Sequence, residues 1–278
     1  MKPIQVQTEH TNLDEAFPVR IYIHVAVMGH VNEVLHHQLL LIKESKLYHY
    51  CEAIYLLVSG DFSLLKIDLE DPAQKFHIEH TGYEIDTYEF PTLHRIWIDS
   101  QESEFAVLYL HTKGVSKPKE LSVRHWVHYL LYFLVEKWSE RLLDLQTHDC
   151  SGVNLRGSSS NPVDTPEDWF VKGSPLHYSG NFWWSRSSYI RRLPDPVVFQ
   201  TVHTEMLRYY CEMWLLQLKG KFHCAWYSGV LHHKEEPYPE FLYRSESIYR
   251  FFRYLLEKPF RLYIQVLRII ASKKQVVS

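Results

Sequence analysis

The sequence predicts an α/β fold, with one domain around a mostly parallel central sheet and a helical tail after it. Short runs rich in β-branched and aromatic residues alternate with segments whose apolar residues recur every three or four positions. The strand-like runs end in polar residues and glycine. With 278 residues, 46% of them hydrophobic, the chain is long enough to bury one large core.

A βαβ unit opens the predicted domain. The run from Val19 to Met28 predicts a strand that closes at Gly29, and the run from Ala53 to Val58 predicts a second strand that ends in Ser-Gly-Asp61. Between them, helical periodicity over residues 31–44 predicts the connecting helix. A connection of this kind joins parallel strands.

The rest of the chain continues the alternation. We expect a third strand at 76–80, a helix or loop through 88–98, a buried strand at 105–110, a helical segment over 122–145 and a short strand at 150–155.

Beyond these elements, the Ser- and Pro-rich loop 157–166 is long enough to be a lid or binding loop. A helix is predicted from about Thr201 to Leu218, and it places Glu205, Arg208 and Glu212 on one face.

Charge is distributed unevenly along the chain. The net charge is −3, which argues against broad nucleic-acid binding. Residues 244–278 hold eight Lys and Arg against two Glu, a local charge of +6, and so residues 1–243 carry −9. We therefore divide the chain into a domain over 1–243 and a basic helical extension over 244–278. Its segment 247–270 predicts helices packed on the domain, with peripheral contact to an anionic membrane as the alternative.

Cysteine spacing and hydropathy indicate a cytosolic protein. The four cysteines have neither CxxC spacing nor histidines at zinc-ligand spacing, which indicates free thiols in a reducing compartment. The first residues lack the apolar core of a signal peptide, and no apolar run reaches the ~18 residues of a membrane span.

The most informative segment is the end of the strand at 105–110. His111, Thr112, Lys113 and Gly114 follow it directly. Ligands of open α/β sheets bind at the carboxyl ends of the strands, and glycine lets the backbone approach a phosphate closely. A cation and an imidazole at this edge suit a phosphorylated ligand. The bland alternative is a polar strand end in solvent.

Several motifs occur in a characteristic order: LVSGD (57–61), YLHTKGVS (109–116), DCSGVNL (149–155), HYSGNFWWSRSSYIRRLP (177–194) and CEMW (211–214). Together with the first βα unit, this order resembles the GT-A-type nucleotide-sugar glycosyltransferases. In detail it resembles an uncharacterised glycosyltransferase-like family of bacteria and large viruses. The resemblance covers most of residues 19–218 and implies a GT-A-like, Rossmann-like domain.

The resemblance implies where the donor binds. The ends of the first two strands, at Val25 and Asp61, would hold the nucleoside. An Asp-x-Asp metal motif would follow the fourth strand, but this chain has His111, Thr112 and Lys113 there. We expect Lys113, helped by His111, to stabilise the leaving diphosphate, since Mg²⁺ and Mn²⁺ prefer oxygen ligands. No metal site and no cofactor are expected, and a divalent cation remains the alternative.

The sequence leaves open whether the transfer inverts or retains the configuration of the sugar. If it inverts, a carboxylate is expected to take the proton of the acceptor hydroxyl. Glu212 is the first candidate, Glu205 the second and Asp149, which opens the DCSGVNL strand, the third. The alternative for Glu212 is an i,i+4 ion pair with Arg208 on a solvated face.

Sugar or acceptor contacts are expected from the motif at 177–194, through His177, Gly180, Asn181, Trp183 and Trp184. Two adjacent tryptophans on a strand point to opposite faces, so at most one of them meets a ligand.

The sequence thus predicts a glycosyltransferase that moves a sugar from a nucleotide-diphosphate donor to a hydroxyl of a glycan or glycolipid. The alternative is a non-catalytic carbohydrate-binding or scaffold protein on a degenerate GT-A fold. The chain contains no Walker loop, no GxGxxG and no GxSxG, so kinases, Rossmann dehydrogenases and α/β-hydrolases lack their minimum motifs.

Overall fold

The computed structural model describes residues 17–67, 70–82, 85, 87–117, 119–157, 175–201, 207–230 and 232–244. The main sheet consists of β1 (Val19–Ala26), β2 (Ala53–Ser59), β3 (Phe76–Gly82), β4 (Ala106–His111), β5 (Cys150–Val153), β8 (Trp183–Arg186) and β9 (Phe222–Trp226). A small antiparallel ribbon pairs β6 (Leu155–Arg156) with β7 (His177–Tyr178). The α-helices are α1 (Val31–Glu44), α2 (Leu47–Tyr50), α3 (Phe90–Glu102), α4 (Leu121–Leu131), α5 (Trp138–Thr147), α6 (Ser187–Ile190) and α7 (Leu207–Met213).

The strand order in the main sheet is β3-β2-β1-β4-β8-β5-β9. Strand β1 is parallel to both β2 and β4, with Ile21 opposite Ile54 on one side and Leu108 on the other. Strand β8 is antiparallel to β4 and β5. The chain extends the sheet in one direction from β1 to β3 and then returns to the other side of β1. The order therefore reverses between β1 and β4, which is where ligands of doubly wound sheets bind.

Helices cover the sheet on both faces, so its central strands are buried on both sides. On one face Leu35 and Leu39 of α1 pack with Trp126 and Leu130 of α4 against β1 and β4. On the other face residues of α3, α6 and α7 pack against Tyr22, Val107 and Tyr109. Burial on both faces explains why the strands are continuous apolar runs rather than alternating ones.

The helical segment predicted over 122–145 is confirmed, and the structure divides it into two α-helices. Helix α4 passes into a π-helical turn, Tyr132–Glu136, before α5 begins. The wider turn loosens the backbone ladder, and buried side chains donate to the freed carbonyls: Trp184 Nε1 to Leu134 at 2.8 Å and Arg141 Nη1 to Phe133 at 3.3 Å. Both donors come from elsewhere in the fold or later in the chain, and periodicity does not reveal them.

The predicted helix over 201–218 ends earlier than expected, because α7 stops at Met213. The chain then turns so that the Trp214 indole donates to the Pro194 carbonyl at 2.9 Å. The Tyr189 hydroxyl lies 2.9 Å from the carbonyl of Leu215 and 3.0 Å from that of Leu218. These tertiary hydrogen bonds replace the last helical turns.

Some predictions lie outside the described residues. They are Glu205, most of the loop 157–166, and the extension 244–278 apart from Arg244. Among the helices that the structure describes, none has the length and apolar character that crossing a bilayer requires.

Candidate functional site

The loops that follow β1 and β4 meet at the reversal point of the sheet. The backbone N–H of His30 donates to the carbonyl of Val115 at 3.2 Å, and Gly29 lies against the same peptide with φ at +51°. The ends of the two strands are therefore fixed relative to each other.

Thr112 ties the same two strands together. Its hydroxyl accepts from the backbone N–H of Ala26 at 3.1 Å, and its own N–H donates to the His24 carbonyl at 2.9 Å. The side chain is buried. Thr112 was predicted to contact the nucleotide-sugar donor. In the structure its hydroxyl oxygen instead forms a hydrogen bond that holds β1 against β4.

Lys113 turns its ammonium group over an aromatic ring instead of into bulk water. Its Nζ lies 3.9 Å from the centroid of Trp126. Among the described residues, no carboxylate lies within ion-pairing distance of it. Burial lowers the pKa of Lys113 to about 8, an effect that Glu212 opposes and Arg208 reinforces. A lysine in this state gains from an anionic ligand.

Glu212 lies at the same edge of the sheet. Its carboxylate acts electrostatically on both Lys113 and His111, although the two segments are about a hundred positions apart in sequence. It also forms the i,i+4 ion pair with Arg208, at 3.6 Å, on the partly exposed face of α7. The i,i+4 ion pair with Arg208 is therefore confirmed, and the role of Glu212 as a base stays a prediction.

A buried Glu–His pair at this edge was missed by the sequence analysis. Nδ1 of His111 lies 2.7 Å from Oε1 of Glu89, and both residues are buried. Glu89 is the N-cap residue of α3, and no motif or spacing in the sequence points to it. The sequence does not reveal this pair because 22 positions separate Glu89 from His111, and only the packing of α3 against the sheet brings them together.

Electrostatics keeps Glu89 ionised in its buried position. Burial alone would raise its pKa, but the hydrogen bond from His111, the charges of His111 and His24, and a backbone hydrogen bond lower it to about 2. Burial also lowers the pKa of His111 despite the adjacent Glu89. Burial therefore favours the neutral form of the His111 imidazole. The expectation that His111 helps Lys113 to stabilise a diphosphate stays a prediction.

Several buried polar atoms around this pair have no hydrogen-bond partner. They are Tyr109 Oη, His111 Nε2, Trp126 Nε1 and Asn181 Nδ2. The Tyr109 and His111 rings lie 6.3 Å apart between their centroids, and Phe182 packs edge-on against His111 at 5.0 Å. Because buried polar groups nearly always find partners, such a concentration marks a place where a ligand or water completes the hydrogen bonding.

The segment 180–182 brings Asn181 and Phe182 to this edge. Strand β8 runs antiparallel to β4, so the residues just before it lie beside the end of β4. Gly180 has φ at +103°, and a Cβ there would lie 2.8 Å from Leu130 Cδ1. Asn181 also has a positive φ, 55°, and its Oδ1 accepts from the Trp183 indole at 3.1 Å. The turn needs residues that tolerate left-handed backbone.

Trp183 and Trp184 are core residues. They point to opposite faces of β8, as predicted, but both are at most 1% exposed. Trp183 stacks on Tyr109 at 4.8 Å, and Trp184 donates to the carbonyl of Leu134. The expectation that one of them stacks on a sugar is therefore wrong in this conformation. The indole that contacts the edge is that of Trp126 on α4.

His177, predicted to contact sugar, is half-buried in β7. Its Nδ1 lies 2.9 Å from the carbonyl oxygen of Pro175, two residues earlier. The structure gives it this local contact, and its ring is not among the side chains that surround the Glu89–His111 pair.

The two predicted nucleoside contacts, Val25 and Asp61, lie in different environments. Val25 is completely buried in the core beneath α1, so its side chain is a packing group and a donor contact through it is wrong. Asp61 is exposed at the end of β2, where its Oδ1 accepts from the N–H of Ser63 at 3.0 Å and caps a 3₁₀ turn. These hydrogen bonds to Ser63 lower the pKa of Asp61.

Asp149 lies at the wrong edge of the sheet for catalysis. Strand β5 begins just after it, and Cys150 pairs with Ser185, which in turn pairs with Val107 near the start of β4. Its Oδ2 accepts from the N–H of Lys221 at 2.8 Å. The whole length of β4 separates Asp149 from Lys113, because β4 and β5 run in the same direction. Its prediction as a base is wrong for that reason.

A groove of about 160 Å³ lies between α1, the loop after β4, and α4. Gly114, with φ at +88°, lines it beside Lys113. Its titratable lining residues are His30, Glu33, His37, Lys113, Lys117, Arg124 and His128. Several of these are already paired with carboxylates, including Lys117 with Glu120 at 2.8 Å.

The structure was compared with the requirements of a metal site, and the sequence with known proteins. Within the described ranges, no three His, Cys, Asp or Glu side chains come together as a group that could hold a metal ion. A search of curated proteins finds no match to the chain. A family model described as "Domain of unknown function (DUF8361)" matches residues 19–236. This range includes every strand of the main sheet, the loops that carry Lys113 and Asn181, and helix α7 with Glu212. This chain is accordingly a member of the DUF8361 family.

Proposed function

We propose that this protein transfers a sugar from a nucleoside-diphosphate donor to a hydroxyl group of a glycan. Lys113 carries the proposal: it is a partly buried ammonium at the reversal point of the sheet, with no carboxylate in ion-pairing distance among the described residues. Withdrawing a charge from water is unfavourable unless a counter-charge replaces the water. A phosphate is the anion that binds most often at this edge of such sheets.

The chemistry of sugar transfer fits the groups at this edge. Negative charge builds on the diphosphate as the bond from the anomeric carbon breaks, and a preorganised cation there lowers the barrier. Lys113 supplies that charge, and the Trp126 face holds its ammonium in place at 3.9 Å. The absence of an Asp-x-Asp after β4 is why we assign this role to lysine.

The remaining roles follow from position. Gly114 lets the backbone approach the diphosphate, and Asn181 offers an unpartnered amide to a sugar hydroxyl. Glu212 stands close enough to influence Lys113 and is one candidate for the proton acceptor. Asp61, on the exposed end of β2, remains our proposal for the nucleoside contact.

A thermal-shift panel of UDP, GDP, CDP and dTDP sugars, with and without Mn²⁺, tests the proposal. We expect one nucleotide to stabilise the protein and Lys113→Met to weaken its binding about 10- to 100-fold, because a charge-assisted hydrogen bond contributes about 1.5–3 kcal/mol. Methionine keeps the packing on Trp126 and removes only the charge. Lys221→Ala, which removes a positive charge at the opposite edge of the sheet, is the matched control.

The outcomes separate transferase from binding module. Slow hydrolysis of the stabilising donor, unaffected by EDTA, supports a transferase that works without a metal ion. Activity lost on EDTA treatment and restored by Mn²⁺ would overturn the role of Lys113 as the replacement cation. Stabilisation by free glycans and by no nucleotide would instead favour the carbohydrate-binding alternative.

A further inference from the structure

We infer that His111 is the catalytic base of the transfer, and that Glu89 is the residue that positions it. The inference rests on the proposed function for the identity of the reaction. It assigns the proton acceptor to an imidazole rather than to the carboxylate of Glu212.

The first step of the argument is the tautomer of His111. Glu89 is ionised and therefore only accepts hydrogen bonds, so the imidazole nitrogen 2.7 Å from it, Nδ1, carries the proton. Nε2 is then left with a free lone pair on the other side of the ring. A carboxylate that holds a histidine in this tautomer is the arrangement by which many enzymes prepare a general base.

The second step is that Nε2 has no partner in the fold. It is a buried nitrogen without a hydrogen bond. The ring of Tyr109, whose hydroxyl also has no partner, has its centroid 6.3 Å from that of His111. An unmade hydrogen bond at a buried site costs about 1–3 kcal/mol, which a purely structural histidine would avoid. A hydroxyl group of a bound ligand would donate to this lone pair and remove the cost.

The third step is the position of His111 relative to Lys113. His111 is the last residue of β4 and Lys113 follows it by two positions, and the charge of Lys113 acts on His111. The carboxylates of Glu89 and Glu212 act electrostatically on both groups, so the base and the cation lie at the same strand end. The acceptor hydroxyl and the leaving diphosphate must also be neighbours of one anomeric carbon, so the spacing suits the reaction.

The bond changes balance in a single displacement. The acceptor oxygen forms a bond to the anomeric carbon while its proton passes to Nε2 of His111. The bond from the anomeric carbon to the donor phosphate oxygen breaks, and its electron pair leaves with the nucleoside diphosphate. The positive charge that forms on the imidazole is stabilised by Glu89, and Lys113 stabilises the departing diphosphate.

The charged surroundings of His111 determine how the rate depends on pH. Glu89 from α3 and Glu212 from α7 raise the pKa of His111, and Lys113 from its own strand end lowers it, while burial has the largest effect and lowers it further. His24 on β1 faces the same carboxylate and has a pKa of about 4. Because burial has the largest effect, it favours the neutral imidazole, which is the form that can accept a proton.

His111→Asn gives the sharpest test. Its amide nitrogen takes the place of Nδ1 and keeps the hydrogen bond to Glu89, but no group replaces Nε2. We expect kcat for donor transfer, or for slow donor hydrolysis, to fall about 100- to 10,000-fold, with the nucleotide Kd unchanged. Glu212→Gln should change kcat less than tenfold. The reverse order of these two effects, or His111→Asn activity within threefold of the parent, would overturn the inference.

Glu89→Gln separates positioning from mere packing. Glutamine still accepts from Nδ1 but lacks the negative charge that raises the pKa of His111. The acid limb of the kcat profile should move to lower pH and the plateau should fall. A variant with less folded protein and an unmoved acid limb would show that Glu89 is structural only and would contradict this part of the inference.

A measurement that does not require enzymatic activity tests the role of His111 separately from the proposed function. In protein labelled with ¹⁵N-histidine, assigned by comparison with His111→Asn, we expect Nε2 to be unprotonated at pH 7. We also expect its signal to move when the stabilising nucleotide sugar from the panel is added together with an oligosaccharide acceptor. If no nucleotide sugar binds, the proposed function fails; a protonated Nε2, or one that no added sugar perturbs, refutes the base assignment itself.

Discussion

A Cβ atom on Gly29 would lie 2.2 Å from the carbonyl oxygen of Val115, closer than any real contact allows. The loops after β1 and β4 therefore meet backbone to backbone, and this contact sets the position of the segment that contains Lys113 and Gly114. The two loops can approach each other this closely at the reversal point because residue 29 is a glycine.

Gly29→Ala should disturb this contact. We expect it to lower the free energy of unfolding by at least about 1 kcal/mol more than Gly82→Ala, and to weaken nucleotide binding. Gly82 also has a positive φ, +140°, but a Cβ there meets no described atom within 4 Å, so it controls for backbone strain without the clash. Urea unfolding of the two variants measures the difference, and equal losses would show that the loops adjust freely.

The affinity for a nucleotide should depend on the charge of Lys113. Its pKa is lowered to about 8, so the group is cationic below pH 8 and becomes neutral as the pH rises above it. We expect affinity to be level from pH 7 to 8 and then to fall by up to tenfold per pH unit. Calorimetric titration from pH 7 to 9.5 measures this. Lys113→Met should remove the dependence, and a variant that retains it would assign the effect to another group.

Asp149→Ala should affect stability and leave transfer unchanged. The carboxylate accepts from the Lys221 N–H at the edge of the sheet opposite Lys113. We expect a loss of about 1–3 kcal/mol in the free energy of unfolding, since a hydrogen bond to a charged group is removed. The kcat measured on folded protein should stay within twofold. A large loss of turnover would restore Asp149 as a catalytic candidate.

Buried neutral histidines should make the fold sensitive to acid. Burial lowers the pKa of His24 from 6.5 to about 4, so between those pH values the unfolded chain binds a proton that the folded protein does not. Stability should therefore fall as the pH falls from 6.5 to 4, by about 1.4 kcal/mol per pH unit for this group.

Urea unfolding of His24→Gln between pH 7 and pH 5 measures that contribution. The slope of unfolding free energy against pH should decrease relative to the parent, whatever the absolute stability of the variant. His36→Gln removes an exposed histidine on α1 and should leave the slope unchanged. Equal slopes in the His24 variant and the parent would contradict the assignment.

Local sequence was sufficient for most of the strands and helices. The runs at β1, β2 and β4 are continuous apolar stretches because parallel strands are buried on both faces, and burial leaves that pattern in any such sheet. The polar residues after β4 also indicated where that strand ends, because a strand must end where its apolar run ends. Lys113 and His111 were found in this way.

What the sequence determined by itself was local: the order of the elements, the strand ends that carry polar groups, and the adjacency of His111 and Lys113. The tertiary structure decided everything that depends on distant segments meeting. It paired His111 with Glu89 through the packing of α3, and it buried Trp183 and Trp184 between β8 and the two helical layers. It also separated Asp149 from the site, because strand direction determines which edge a residue occupies and direction is a property of the whole sheet.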